Sequence, residues 1–253
     1  MSPLFDSHAH LSDAAFDSDL GEVIARAQGA GVHRIVNICT DQETLEKGVI
    51  LAGNPTIFLA AATTPHDAAL IDPLFDEVSR LAIEGKLVAI GETGLDYHYE
   101  RSPKEVQQLS LRRYLKLARE SGLPLIIHCR NAFNDLFELL DGEEPVPVLL
   151  HCFTGTLEEA QGVIQRGFFL SLSGIVTFKK SESLREVARL TPLSQLLIET
   201  DSPYLAPQSE RGKRNEPAFL AETARVIAQA RGISFDELAA ETAANAKRLF
   251  RVP

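Results

Sequence analysis

Apolar positions along this chain cluster in short runs rich in Val, Ile and Leu, spaced roughly thirty residues apart, and helical periodicity follows each run. The runs centre on Leu4 to Asp6, Arg34 to Ile38, Ile57 to Ala62, Leu87 to Ile90, Leu125 to Ile127, Val148 to Leu150, Phe168 to Leu172 and Leu196 to Ile198, predicting eight strands. Helical stretches include Asp19 to Ala30, Pro73 to Glu84, Pro103 to Ser121, Leu157 to Gln165 and Glu182 to Leu190, with Gly122 and Gly167 placed to end two of them. Beyond the eighth strand, Pro217 to Ala230 supplies the last crossover helix. Ser234 to Phe250 predicts one more, opened by Ser234 and Glu237 at the spacing of a capping box.

Unbroken strand–helix alternation predicts an α/β fold with a parallel sheet and crossover helices. A chain of 253 residues without a linker or low-complexity tract matches the usual length of a (β/α)8 TIM barrel, so residues 1–253 are expected to form one barrel domain with an extra C-terminal helix. An open doubly wound sheet is the competing architecture. Its mark is a glycine-rich turn after the first strand, and here that position holds His8-Ala9-His10.

No run approaches the roughly 20 uninterrupted apolar residues needed to span a bilayer, and the N-terminus is acidic and histidine-bearing instead of basic and then apolar. A soluble, unexported protein is expected, with no membrane partner. The three cysteines, Cys39, Cys129 and Cys152, are too few for a disulfide framework, which points to a reducing compartment and the cytoplasm. A net charge of -10 argues against nonspecific duplex binding, which needs many cations along a track, but leaves room for a local basic patch. The ordinary surface composition points to a monomer with no obligate protein partner.

Active sites of α/β barrels lie where the strands end. Those ends read Asp6-Ser7-His8-Ala9-His10, Gly91-Glu92-Thr93-Gly94, His128-Cys129-Arg130, His151-Cys152-Phe153 and Glu199-Thr200-Asp201, bringing four imidazoles and several carboxylates to one rim. His8 and His10, two apart on a strand, share a face and can grip one ion. The same alternation turns Cys129 and Cys152 outward under the helices as packing residues. Imidazole mixed with carboxylate suits Zn, Mn, Fe or Co, and with more oxygen it holds Mg. A lone His or Asp at a strand end is ordinarily structural. This many ionisable groups in one cavity, however, would repel one another and lose hydration at a cost of several kcal/mol without a cation. His33 is expected to be structural or solvent-exposed, whereas His66 and His98 lie in loops on the same rim and can meet substrate.

Taken in order, Asp6-Ser7-His8-Ala9-His10-Leu11, Gly91-Glu92-Thr93-Gly94-Leu95-Asp96-Tyr97, His128-Cys129-Arg130, His151-Cys152-Phe153-Thr154-Gly155, Glu199-Thr200-Asp201-Ser202-Pro203-Tyr204-Leu205 and Arg211-Gly212-Lys213-Arg214-Asn215-Glu216-Pro217 make the chain resemble the TatD-like metal-dependent hydrolases, a branch of the amidohydrolase superfamily associated with deoxyribonuclease activity. The resemblance covers nearly the whole chain. It implies two divalent metal ions (Mg, Mn or Zn): His8, His10 and Asp201 on one, His128 and His151 on the other, and Glu92 bridging. One departure is Thr64 before Pro65, where family members commonly carry a His implied to contact substrate.

Two such ions activate water and stabilise developing negative charge. Asp201 is then the natural base, accepting the water's proton and passing it to the leaving group, with Glu92 beside it as the second catalytic carboxylate. Asp6 and Glu199 are expected behind the ligands, orienting them. Arg130, which shares the parity of His128, together with Arg211, Lys213 and Arg214 after the eighth strand and Lys179 and Lys180 after the seventh, offers positive charge for phosphate. These features favour a phosphodiesterase trimming single-stranded DNA or RNA ends, with a nucleic-acid end or nucleotide phosphodiester as substrate. Hydrolysis of a C–N or acyl ester bond at the same metals is the alternative, and a metal-bound scaffold that binds nucleic acid without cutting it is a third.

Overall fold

In the computed structural model, which describes residues 2–69 and 74–253, eight parallel strands pair strictly in chain order. They are β1 (Leu4–Ala9), β2 (Val32–Cys39), β3 (Ile57–Ala61), β4 (Ala89–Asp96), β5 (Leu125–Arg130), β6 (Val148–Leu150), β7 (Phe169–Leu172) and β8 (Leu196–Ile198). A helix follows each strand: α1 (Leu20–Gly29), α2 (Gln42–Leu51), α3 (Leu74–Ile83), α4 (Lys104–Ser121), α5 (Phe133–Asp141), α6 (Leu157–Gln165), α7 (Glu182–Leu190) and α8 (Leu220–Arg231), with α9 (Phe235–Phe250) after the last. This is the (β/α)8 barrel expected from the alternation. The expected start of the third helix at Pro73 lies outside the described residues. Residues Pro217–Phe219 form a 3-10 turn leading into α8.

Local chemistry accounts for the helix ends. Gly122 closes α4 in the left-handed region at φ 69°, which costs glycine little. Asp41 and Thr44 cap α2 reciprocally, Thr156 and Glu159 do the same for α6, and Ser234 Oγ accepts the Glu237 N–H at the start of α9.

Two apolar layers fix the faces of the strands. Phe5, Val36, Ile38, Ala60, Ala89, Ile126, Leu149 and Leu197 fill the barrel interior, where Ala243, Ala246, Leu249 and Phe250 of α9 join them. The extra helix therefore plugs one mouth of the barrel, and the Phe5 ring lies between those of Phe58 and Phe250, at 6.0 and 6.1 Å. The other layer packs the outer strand faces against the helices.

Of the register shifts between neighbouring strands, two, one in β1 and one in β4, lie next to the opposite, open mouth. In β1 Asp6 and Ala9 are three positions apart while their partners Ile35 and Asn37 are two apart. Phe5 therefore faces inward yet Ala9 faces the helices, which leaves His8 and His10 pointing into the barrel. In β4 the same happens between Ile90 and Thr93, so Ala89 faces inward, Leu95 faces outward, and Glu92, Gly94 and Asp96 share the interior side.

The first and last strands meet at a seam. The Asp201 N–H donates to the His8 carbonyl at 2.9 Å, and the His10 N–H to the Ser202 carbonyl at 2.7 Å. Ser7 Oγ donates to the Ile198 carbonyl at 3.0 Å, while the fully buried Asp6 accepts both the backbone N–H and the hydroxyl of Thr200, at 3.0 and 2.6 Å.

Candidate metal centre

At the open mouth the inward positions of β1, β4, β5, β6 and β8 bring six side chains together. His8 Nε2 lies 3.2 Å from His10 Nε2, 3.4 Å from Glu92 Oε2 and 3.6 Å from Asp201 Oδ1. His10 Nε2 lies 3.8 Å from Glu92 Oε2 and 3.4 Å from Asp201 Oδ1. On the other side of the same carboxylate, Glu92 Oε1 is 3.2 Å from His128 Nδ1 and 3.0 Å from His151 Nε2. One carboxylate thus offers each of its oxygens to a different group of donors.

These separations test whether the donors fit divalent ions. Ligand bonds of about 2.0–2.2 Å in a tetrahedron give donor–donor edges of about 3.3–3.6 Å, with shorter edges at higher coordination number. The observed values span that range. His8 Nδ1 and both ring nitrogens of His151 are buried and find no hydrogen-bond partner, a condition native interiors avoid unless an ion or water completes the site.

The charges are mutually dependent. Burial alone would raise the Glu92 carboxyl, but the imidazoles of His151, His128 and His8 outweigh it and hold the group well below the ordinary carboxylate range. Burial would lower His151, yet Glu92 and Glu199 drive it well above the usual imidazole value. His8 is shifted down, first by burial and then by His151, whose ring stacks on it at 3.8 Å. Two stacked rings at that distance cannot both carry charge without a large Coulombic cost.

A second set of groups stands behind these. Glu199, fully buried, accepts the Ser171 hydroxyl on Oε2 at 2.5 Å and holds Oε1 3.5 Å from His151 Nδ1. Asp6 instead faces Thr200, and burial, opposed by the Thr200 hydrogen bonds, lifts its carboxyl to about 7. Asp96, which no pattern in the sequence sets apart, lies with Oδ2 3.0 Å from His128 Nε2 and 3.7 Å from His66 Nε2. Its only sequence signal is membership of the β4 motif. Its inward parity depends on the register shift.

The basic residues divide. Arg130 is half-buried, with its guanidinium 4.8 Å from the centre of the Tyr99 ring. Arg211 is exposed and sits 4.6 Å over Phe178, and Lys213 pairs with Glu210 at 2.7 Å. Arg214 makes a two-pronged pair with Asp19, both bonds 2.7 Å, and also donates to the Ala15 carbonyl at 2.6 Å, so its guanidinium anchors the loop to α1. Thr64 Oγ donates to Asp67 Oδ2 at 3.1 Å.

The cysteines also divide. Cys129 packs in the outer layer as alternation requires. Cys152 does not lie under the helices: it follows the end of β6 with φ 43°, which breaks the alternation, and its half-buried thiol lies 3.2 Å from Ser173 Oγ. Burial and the nearby charge of Asp201 and Glu199 push that thiol well up.

A parallel barrel bearing this cluster of imidazoles and carboxylates on one mouth defines a metal-dependent hydrolase. The model of the TatD related DNase family matches residues 5–251, and the chain belongs to that family. It is 42% identical to the uncharacterized metal-dependent hydrolase YabD of Bacillus subtilis, over 98% of this chain and 99% of that one. It is 35% identical to the 3'-5' ssDNA/RNA exonuclease TatD of Escherichia fergusonii, with 98% of this chain and 99% of that one covered. Among solved structures it resembles the TatD homologue YjjV of Escherichia coli, with a TM-score of 0.92 at 30% identity and coverage of 99% and 98%.

Proposed function

We propose that this chain is a two-metal phosphodiesterase that removes nucleotides from the ends of single-stranded DNA or RNA. One observation carries the reading: Glu92 presents Oε2 to His8, His10 and Asp201 and Oε1 to His128 and His151, the arrangement of a carboxylate shared by two ions. The relatives called 3'-5' ssDNA/RNA exonuclease support the choice of substrate.

In this reading His8, His10 and Asp201 would hold one divalent ion and His128 and His151 the other, with Glu92 available to both. Such ions, when bound, supply Lewis-acid activation of water and stabilise charge on phosphoryl oxygens. The protein's own groups do the rest. Asp201 Oδ1 stands beside both β1 imidazoles, placed to take a proton from the attacking water and return it to the leaving oxygen. Burial would raise the Asp201 carboxyl, but His10, His8 and His151 hold it below the ordinary range, so it is ionised and ready as a base near neutrality. Asp96 bonds His128 Nε2 from behind, fixing which ring nitrogen faces Glu92, and Glu199 Oε1 stands 3.5 Å behind His151 Nδ1. Arg130 offers positive charge on the inward side of β5, and Arg211 and Lys213 lie on the exposed loop beyond β8 where phosphate is often bound. Arg214 serves that loop by anchoring it to Asp19.

The test is end-labelled single-stranded DNA incubated with chelator-treated protein to which Mg, Mn or Zn is returned. Mononucleotide release is expected in at least one metal, with a loss of about 100-fold or more for Asp201→Asn. Turnover of esters or amides without any phosphodiester cleavage would overturn the reading in favour of a C–N or acyl ester hydrolase.

A further inference from the structure

We infer that Tyr99 and Tyr204 are paired stacking platforms that receive nucleobases on opposite flanks of the metal centre; the inference rests on the nucleic-acid reading above. Their surroundings first set them apart. Tyr99 is 54% exposed and Tyr204 52%, and no other Phe or Tyr among the described residues is as exposed. Large aromatic rings left in water at the edge of a charged pocket lose the burial that would otherwise stabilise them, which marks them as contact surfaces.

Both rings are fixed to the centre through a carboxylate residue three positions earlier. The Tyr99 N–H donates to Asp96 Oδ1 at 2.8 Å, and the Tyr204 N–H donates to the Asp201 carbonyl at 2.9 Å. Tyr204 is held further by its hydroxyl on Asp13 Oδ2 at 2.9 Å and by its carbonyl, which accepts Asn215 Nδ2 at 2.6 Å. These anchors reduce the ordering that binding would require.

Ring contacts then run without a gap from one tyrosine to the other. Tyr204 meets His10 at 5.8 Å, His10 meets His8 at 5.0 Å, and His8 stacks on His151 at 3.8 Å. His151 meets His128 at 5.7 Å, His128 meets His66 at 5.7 Å, and His66 meets Tyr99 at 5.8 Å. The tyrosines therefore stand at the two ends of the row of donors, where nucleotides on either side of a scissile phosphodiester would lie. At the Tyr99 end, the guanidiniums of Arg130 and Arg101 lie 4.8 and 5.7 Å from the ring centre. A stacked ring with cations beside it is the combination that holds single strands through base faces and phosphates without reading sequence.

The composition makes this measurable. The chain has no Trp and only four Tyr, of which Tyr114 is fully buried and Tyr97 partly so, so its ultraviolet emission reports chiefly on tyrosine. Metal-loaded full-length protein is titrated with a short phosphorothioate-linked oligo(dT) and, separately, with a base-free sugar–phosphate oligomer of equal charge. The oligo(dT) is expected to quench the emission and the base-free oligomer is not. Tyr99→Ala and Tyr204→Ala should each remove part of the quench and weaken oligo(dT) binding by about 10-fold, whereas Tyr99→Phe should keep its affinity. Equal quenching by the base-free oligomer, or oligo(dT) affinity unchanged in both alanine variants, overturns the inference. The quench needs no turnover: its presence in protein that cuts no labelled DNA sustains the platforms and defeats the phosphodiesterase reading, and cleavage with no quench does the reverse.

Discussion

Asp96 concentrates several roles in one carboxylate. Oδ1 accepts the N–H groups of His98 and Tyr99 at 2.9 and 2.8 Å, and Oδ2 takes His128 Nε2 at 3.0 Å. Burial would raise this carboxyl, but His128 and the two backbone donors hold it far below its usual range. With its proton kept on Nε2, the His128 ring leaves the Nδ1 lone pair free for an ion that Glu92 would share. Asp96→Asn should therefore weaken divalent-metal affinity by about 10- to 100-fold, read by titration calorimetry with Mn or Zn; unchanged affinity would remove Asp96 from the site. Single residues also mark the limit of sequence reasoning. His8, His10, His128 and His151 stand out because imidazoles are scarce and occupy strand ends, while Asp96 is one of 35 acidic residues. Arg214 looked like a phosphate ligand for the same reason in reverse, since its partner Asp19 is 195 residues away. The Arg214 pair, opposed by desolvation and reinforced by Arg26, holds the Asp19 carboxyl at about 2. The sign is that of a depressed acid: the stability difference between the unaltered chain and Asp19→Asn should be full above about pH 4 and close as pH falls toward 2, as read by urea denaturation across that range.

Among the elements, β4 shows why periodicity locates strands better than it delimits them. Its apolar signal stops at Ile90, yet the ladder continues to Asp96 through Gly91-Glu92-Thr93-Gly94, whose composition reads as a loop. Gly94, at φ 142°, lies so close to the His128 backbone that a Cβ there would collide with its carbonyl, which explains the glycine and the hidden strand together. The shift in β1 is equally silent in sequence: spacing puts His8 and His10 on one face, but only the extra residue decides that the face is the interior. By contrast α9 was plain from its periodicity and its opening Ser234, although nothing in its sequence says that it plugs the barrel. Its Phe250 is almost fully buried against Phe5. Phe250→Ala should cost about 3–5 kcal/mol in urea denaturation while leaving metal affinity at the opposite mouth intact.

For the whole molecule, stability and metal binding are linked because the donors converge only when the strands are assembled. Each ion bound at a free concentration of 100 times its Kd would stabilise the folded state by about 2.7 kcal/mol, a rise in Tm of about 5–10 °C per ion for a chain of this size. Differential scanning calorimetry with and without chelator checks this, and no shift with any divalent metal would count against a metal centre. In the phosphodiesterase reading, a net charge of -10 and an anionic substrate would be reconciled locally at the mouth, beside Arg130 and Arg101.

The seam between β1 and β8 bears on the order in which the protein comes into being. His8 and His10 leave the ribosome nearly 200 residues before Asp201, and the Asp6–Thr200 bonds that lock the two ends bridge a separation of 194 residues. A nascent or clipped polypeptide that stops short of β8 keeps His8 and His10 but lacks Asp201, so in the proposed reading hydrolysis would wait until the first and last strands have met.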